Sequence, residues 1–112
     1  MPGRRIWLCT EPTDMHCSFD GLSVQVRHHL GEDPSSGHWF TFINRRRTQI
    51  KILVFEDGGY CLWSKRLEQG QFAPLGVPGE RKRRLSCTEL LALIEGVDME
   101  VKRQRKRYKI AA

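Results

Sequence analysis

Carboxylate side chains are the first residues to consider, because metal-dependent cleavage or joining of phosphodiesters needs several of them around divalent ions. Asp14 and Glu89 stand at expected helix starts, and Asp33 and Asp57 stand in expected turns. No immediate structural role is evident for Asp20, and an exposed position on a helix would be enough to explain its presence. The requirements of an active site are not met, so we predict a protein that is not an enzyme, with no catalytic residue and no cofactor.

Thiols and imidazoles are the second possible source of chemistry. The four cysteines, Cys9, Cys17, Cys61 and Cys87, form no Cys-x-x-Cys pair. Without an export signal, free and partly buried thiols are favoured over disulfides or a structural zinc. A Cys–His nucleophile built on Cys17 or Cys61 is conceivable, but no motif supports it. We therefore predict no metal ligands.

Basic residues form the third kind of candidate site. The net charge is +6, and residues 97–112 contribute +4 of it, with six basic residues against two acidic ones. Residues 1–96 hold thirteen basic and eleven acidic residues and contribute +2. The cations form three clusters in this nearly balanced body and a fourth in the tail. The residues predicted to bind nucleic acid are Arg45, Arg46, Arg47, Lys65, Arg66, Arg81, Lys82, Arg83, Arg84, Lys102, Arg103, Arg105, Lys106 and Arg107.

Each basic cluster has a simpler interpretation, because charge runs often solvate loops or protect edge strands from pairing. Three clusters and a basic tail in one small chain nevertheless favour contact with phosphates through general electrostatics. No helix-turn-helix, zinc finger or other base-reading motif is present, so sequence-specific recognition is not predicted.

Length and composition limit the class of protein. A chain of 112 residues with 39% hydrophobic content fits one globular domain. We expect this domain at residues 1–98, followed by a basic tail at 99–112. No apolar run approaches the ~20 residues of a membrane span, and no signal-peptide core follows the N-terminus. The expected location is the cytoplasm, and the family resemblance described below implies a bacterial one.

Hydrophobic periodicity predicts an N-terminal strand and a helix. Ile6 to Leu8 are typical of a short strand. Thr13-Asp14 suggests a helix start, because its oxygens can cap the first turn. The helix would present one apolar face and end near Gly31, and Gly21 within it indicates close packing. The face consists of Met15, Phe19, Leu22, Val26 and Leu30.

The pattern then changes to β-type, with runs at residues 38–43, 50–55 and 60–67. Asp57-Gly58 predicts a tight hairpin between the last two runs, so we expect an antiparallel meander with residues 50–55 in its centre. Gln71-Phe72 suggests a further short strand, and residues 82–85 an edge strand. Ser86 to Glu89 matches a capping box before a short helix. The predicted class is α+β: an antiparallel sheet of four to five strands packed by two helices.

The tryptophans have two interpretations. Trp63 precedes Lys65-Arg66, and such a basic and aromatic neighbourhood is able to hold a stacked base. Aromatic side chains on a sheet mostly pack, so we favour a core position for Trp63. The same applies to Trp7 and Trp39.

The order of these landmarks resembles the small accessory protein encoded by the second reading frame of bacterial insertion sequences of family sixty-six, a family labelled TnpB or Orf2-like. The resemblance covers roughly residues 5–98. Its segments are Thr13-Asp14-Met15, Phe19-Asp20-Gly21-Leu22, Leu30-Gly31-Glu32-Asp33-Pro34, Ser36-Gly37-His38, Lys51-Ile52-Leu53, Cys61 to Glu68 with Gly70 and Phe72, and Leu91 to Asp98.

The resemblance implies a protein that assists transposition beside a separate, larger transposase carrying the catalytic acids. The expected partners are the transposase and other proteins of the same element, with DNA bound either non-specifically or at transposon ends. The alternative is a protein-interaction module that binds the transposase or another accessory protein without touching DNA.

Overall fold

Seven elements make up the computed structural model, which describes residues 4–73 and 79–95. Five strands form one sheet with the order β4-β3-β2-β1-β5, and the two helices cover its two faces. The α+β class is confirmed. The elements are β1 (Ile6–Cys9), α1 (Phe19–His28), β2 (Trp39–Ile43), β3 (Gln49–Glu56), β4 (Gly59–Arg66), β5 (Lys82–Leu85) and α2 (Cys87–Glu95).

The meander β2-β3-β4 is antiparallel, as predicted, and β3 lies in its middle. Asp57 and Gly58 both have positive φ, at 53° and 79°, so a two-residue turn joins Glu56 to Gly59. Both residue types tolerate this conformation, which matches the right-handed twist of the flanking strands. The turn thereby fixes the register of β4 against β3.

The sheet is mixed, because β1 pairs parallel to β2 while the other three strand pairs are antiparallel. A parallel pair needs a long crossover, and α1 supplies it between these two strands. Residues 82–85 form the antiparallel edge strand β5, as predicted. Gln71-Phe72 does not form the predicted strand. Phe72 is fully buried, and its N–H donates to the Arg47 carbonyl at 2.7 Å.

The first helix begins at Phe19, five residues later than the Thr13-Asp14 start suggested by the sequence. The Asp14 carboxylate accepts from the His16 N–H at 2.9 Å, which closes a local turn. The Lys51 ammonium donates to the carbonyls of Met15 and Cys17 at 2.7 and 3.0 Å. These two bonds tie the non-helical segment before α1 to β3.

Each sheet face carries one core cluster. On the α1 face, Leu22, Val26 and Leu30 pack over Phe40, Phe42 and Leu53. Phe19 is instead 42% exposed, so the buried helix face is shorter than predicted. Gly21 makes the predicted close approach, since a Cβ there would lie 3.2 Å from Cys17.

On the α2 face, the cluster joins Leu90 and Leu93 to apolar residues of β1, β2, β3 and β5. The predicted capping box is confirmed. The Glu89 N–H donates to Ser86 Oγ at 3.0 Å, and the Ser86 N–H donates to the Glu89 carboxylate at 2.8 Å. Leu91 is 58% exposed, so it does not belong to the buried face of α2.

The Asp57-Gly58 turn gives a test of backbone geometry. Gly58 has φ of 79° and nothing within 4 Å of an added Cβ, so Gly58→Ala changes only the backbone strain. We expect it to lower the free energy of unfolding by about 1 kcal/mol in urea denaturation. Gly59→Ala is the matched control, because that site is also open and has no positive φ. Equal costs for the two variants would contradict the turn.

The capping box gives a test of pH dependence. The Ser86 N–H, aided by the Arg83 guanidinium, holds the pKa of Glu89 below its ordinary value of 4.5. The unfolded chain therefore binds this proton more readily, and the stabilisation present above that value is lost as the pH falls through the folded pKa. Glu89→Gln should make denaturation midpoints less sensitive to pH below about 4.5. An unchanged acid dependence would contradict this role.

Candidate nucleic-acid interface

The turn between β2 and β3 carries the first predicted cluster, and Asn44 organises it. Asn44 Oδ1 accepts from the N–H groups of Thr48 and Gln49 at 2.8 and 3.0 Å, and the Arg47 N–H donates to the Asn44 carbonyl at 3.0 Å. An asparagine side chain suits this task because it can mimic a backbone turn. Arg45 is thereby held with Arg46 at the tip of the turn, both of them exposed.

Arg47 has a structural role, unlike the two arginines before it. It has a φ of 59°, and its guanidinium donates to Gln71 Oε1 at 3.4 Å. Gln71 in turn donates through Nε2 to the Arg46 carbonyl at 2.9 Å. We call the Gln71-Phe72 segment the strap. Phe72 is buried and anchors the strap to the body of the protein. Asn44, Gln71 and Phe72 therefore position the cluster, a role that the sequence predicted for none of the three.

Arg66 joins Arg45 and Arg46, because the register places it opposite Gln49, the first residue of β3. These three exposed arginines line one groove of about 540 Å³, which we call the arginine groove. Its opposite wall is the segment from Thr13 to His16. The structure thus unites parts of two clusters that are twenty residues apart in sequence.

The electrostatics of the arginine groove favour an anion. Among the residues that the structure describes, none forms an ion pair with Arg45, Arg46 or Arg66. Asp14 is the one carboxylate among the described residues that line the groove, and it contacts His16 at 2.9 Å. The N–H of His16 lowers the pKa of Asp14, so the carboxylate stays charged at neutral pH. Three guanidinium groups against one carboxylate leave an excess of positive charge.

Lys65 does not share this site, because neighbouring residues of a strand point to opposite faces. Its ammonium donates to the Ile94 carbonyl in the last turn of α2, at 2.8 Å. A cation at this end of a helix satisfies a free carbonyl and offsets the helix dipole. Lys65 is thus a helix cap.

The cluster from Arg81 to Arg84 lies on the opposite edge of the sheet from β4. Lys82 forms an ion pair with Glu32 and lies 4.6 Å from the centroid of the Trp7 ring. Arg83 contacts the Glu89 carboxylate at 3.2 Å. Arg81 and Arg84 are exposed. Half of this cluster is therefore committed to internal contacts.

The remaining predicted cations, Lys102, Arg103, Arg105, Lys106 and Arg107, lie outside the described residues.

Trp63 is 44% exposed, so the prediction of a core position for it was wrong. Trp7 and Trp39 are partly buried and pack against the two core clusters, in agreement with the prediction.

The thiols and carboxylates show no catalytic arrangement in the part of the chain that the structure describes. The four cysteines are free, and burial raises the pKa of the Cys9 thiol. Asp20 is exposed in the first turn of α1. Within residues 4–73 and 79–95, no three His, Cys, Asp or Glu side chains are grouped to hold a metal ion. No helix among them is long and apolar enough to cross a membrane.

Comparison with known proteins identifies the family. A family model described as "IS66 Orf2 like protein" matches residues 4–104. The uncharacterized protein y4hO of Sinorhizobium fredii (strain NBRC 101917 / NGR234) is 33% identical over 94 residues, covering 84% of this chain and 81% of that protein. The uncharacterized protein y4jC of the same strain is 31% identical over 96 residues, or 86% and 81%. No solved structure gives a significant match. The chain therefore belongs to the IS66 Orf2-like family, which places it among the proteins of insertion sequences and transposition.

Proposed function

We propose that the protein is a non-enzymatic accessory factor of IS66-type transposition that contacts DNA phosphates through the arginine groove. One observation carries this proposal: Arg45, Arg46 and Arg66 come from two elements, line one groove and have no ion-pair partner among the described residues. Guanidinium groups bind phosphate oxygens in a bidentate manner, and such contacts supply affinity without sequence recognition.

The rigidity of the groove supports the same role. The Asn44 side chain and the Gln71-Phe72 strap hold the turn, while Lys51 holds the opposite wall through two carbonyls. Arginines on a pre-organised backbone lose less conformational entropy on binding than arginines on a free tail. The family supplies the biological setting, since DNA is the substrate of transposition.

A second candidate function is binding of the transposase or another accessory protein without contact with DNA. The exposed Trp63 favours it, because aromatic residues are enriched in protein interfaces. This function predicts co-purification with the transposase that survives nuclease treatment. It also predicts no DNA binding at low salt, which separates it from the first candidate.

The test of DNA contact is the salt dependence of binding to a labelled duplex, followed by fluorescence anisotropy. We expect log K to fall linearly with log[salt], and Arg45→Gln, Arg46→Gln and Arg66→Gln combined to flatten the slope by up to about 2.7, or ~0.9 per lost phosphate contact. The slope reports the number of phosphates contacted, so the change does not depend on the absolute affinity.

The matched control combines Arg27→Gln, Arg81→Gln and Arg84→Gln, which removes the same charge from exposed arginines outside the groove. We expect this variant to keep most of the wild-type slope. Equal flattening by both triple variants would show general electrostatic attraction and contradict the arginine groove. Undetectable binding of the wild-type protein at low salt would contradict DNA contact altogether.

A further inference from the structure

In the part of the chain that the structure describes, the outer side of β4 is a free sheet edge. Among residues 4–73 and 79–95, β4 pairs with β3 and with no other strand. It spans eight residues, and edge strands of this length are templates for pairing with another chain.

The register shows which groups this edge offers. Because the two-residue turn makes Glu56 and Gly59 a hydrogen-bonded pair, the odd-numbered residues of β4 bond to β3. The bond from the Leu67 N–H to the Thr48 carbonyl, at 2.8 Å, continues this alternation. The even-numbered residues therefore direct their N–H and C=O groups outward. These are Tyr60, Leu62, Ser64 and Arg66.

The usual protection of an edge is weak here. Natural edges carry proline, bulges or charged side chains that prevent pairing. Residues 59–66 contain no proline, and the register with β3 is continuous from Glu56↔Gly59 to Gln49↔Arg66. The ammonium of Lys65 is bound to the Ile94 carbonyl, so it does not guard the edge. Only Arg66, at the end of the strand, carries a charge that points away from α2.

An apolar groove lies beside this edge on the α2 face. Its volume is about 360 Å³, and we call it the tryptophan groove. Trp63 is its most prominent member, with 44% of the residue exposed. Exposed apolar surface next to unpaired backbone favours an added strand, because the strand satisfies the backbone while its side chains cover the groove. The groove is lined by Trp39, Ile52, Val54, Cys61, Leu62, Trp63 and Ile94.

We propose that β4 pairs antiparallel with β4 of a second copy of this chain, about a two-fold axis at Trp63. In this register, Tyr60 lies opposite Arg66 and Leu62 lies opposite Ser64, so all four outward residues of each copy are hydrogen-bonded. Trp63 of one copy lies opposite Trp63 of the other in a non-hydrogen-bonded pair, where side chains approach most closely. The two tryptophan grooves then meet on one face of a continuous ten-stranded sheet.

Charge and hydrogen bonding select this register over its alternatives. Antiparallel pairing at Trp63 places Lys65 opposite Cys61 and Arg66 opposite Tyr60, so the cations of the two copies lie at opposite ends of the interface. A parallel pairing would set Lys65 and Arg66 beside their counterparts, and like charges repel at that distance. With the two-fold axis at Leu62, Arg66 would extend beyond the partner strand. Three of the four outward residues of β4 would then be hydrogen-bonded to the partner.

The first experiment is sedimentation equilibrium of the full chain without DNA, over a wide concentration range. We expect the mass to rise to twice that of one chain. Ser64→Pro removes an outward N–H from each copy and should weaken association by about tenfold or more. Ser64→Ala is the matched control, because it loses the same Gln49 contact and keeps the N–H. Circular dichroism verifies that both variants are folded.

The second experiment exploits the two-fold axis. Trp63→Lys and Trp63→Glu should each be monomeric, because like charges would meet at the axis. Mixed in equal amounts, the two variants should form a heterodimer, since opposite charges then meet. Formation of the heterodimer would require the two residues at position 63 to lie opposite each other. It does not depend on whether the protein binds DNA.

Three results would overturn the proposal. The first is a wild-type mass that stays at that of one chain at every concentration. The second is association of Ser64→Pro as strong as that of Ser64→Ala, which would place the interface elsewhere. The third is a mixture of Trp63→Lys and Trp63→Glu that remains monomeric, which would exclude a two-fold axis at Trp63.

Discussion

The two-residue turn at Asp57-Gly58 is the constraint on which both candidate surfaces depend. Its two positive φ values, 53° and 79°, set Glu56 opposite Gly59 and, seven residues further along each strand, Gln49 opposite Arg66. A slip of one residue would move every side chain of β4 to the other face. Arg66 would then leave the arginine groove and Trp63 would leave the tryptophan groove. A local backbone conformation thus determines which chemistry each face of the sheet presents.

The cations of the described chain divide into two groups with different physical roles. All three lysines there bind within the protein: Lys51 and Lys65 bind backbone carbonyls, and Lys82 binds Glu32 over the ring of Trp7. A flexible stem with a compact ammonium suits such internal bridges. The three arginines of the arginine groove have no ion-pair partner among the described residues. Net charge is therefore a poor guide to the binding surface, because several of the cations that contribute to it bind groups within the protein.

Local signals predicted much of the fold. The Asp57-Gly58 hairpin, the capping box at Ser86 and the β-type runs are each encoded by neighbouring residues. The helix start was wrong because the Asp14 oxygen makes similar bonds in a turn and in a helix cap. The Lys51 ammonium, which binds this non-helical segment at the Met15 carbonyl, belongs to a residue 36 positions away. The parallel pairing of β1 with β2 is also non-local. Strand alternation explains why the side chains of Lys65 and Arg66 lie on opposite faces of the sheet. That Arg66 and Arg45 line the same groove depends on tertiary structure, which local sequence does not reveal.

DNA contact through the arginine groove is tested most directly by amide chemical-shift mapping by NMR during titration with a short duplex at low salt. We expect the largest shifts in the turn from Asn44 to Thr48, at Arg66 and at His16, with small shifts at Arg84 on the opposite edge. Shifts centred on β5, or confined to residues beyond 95, would contradict it.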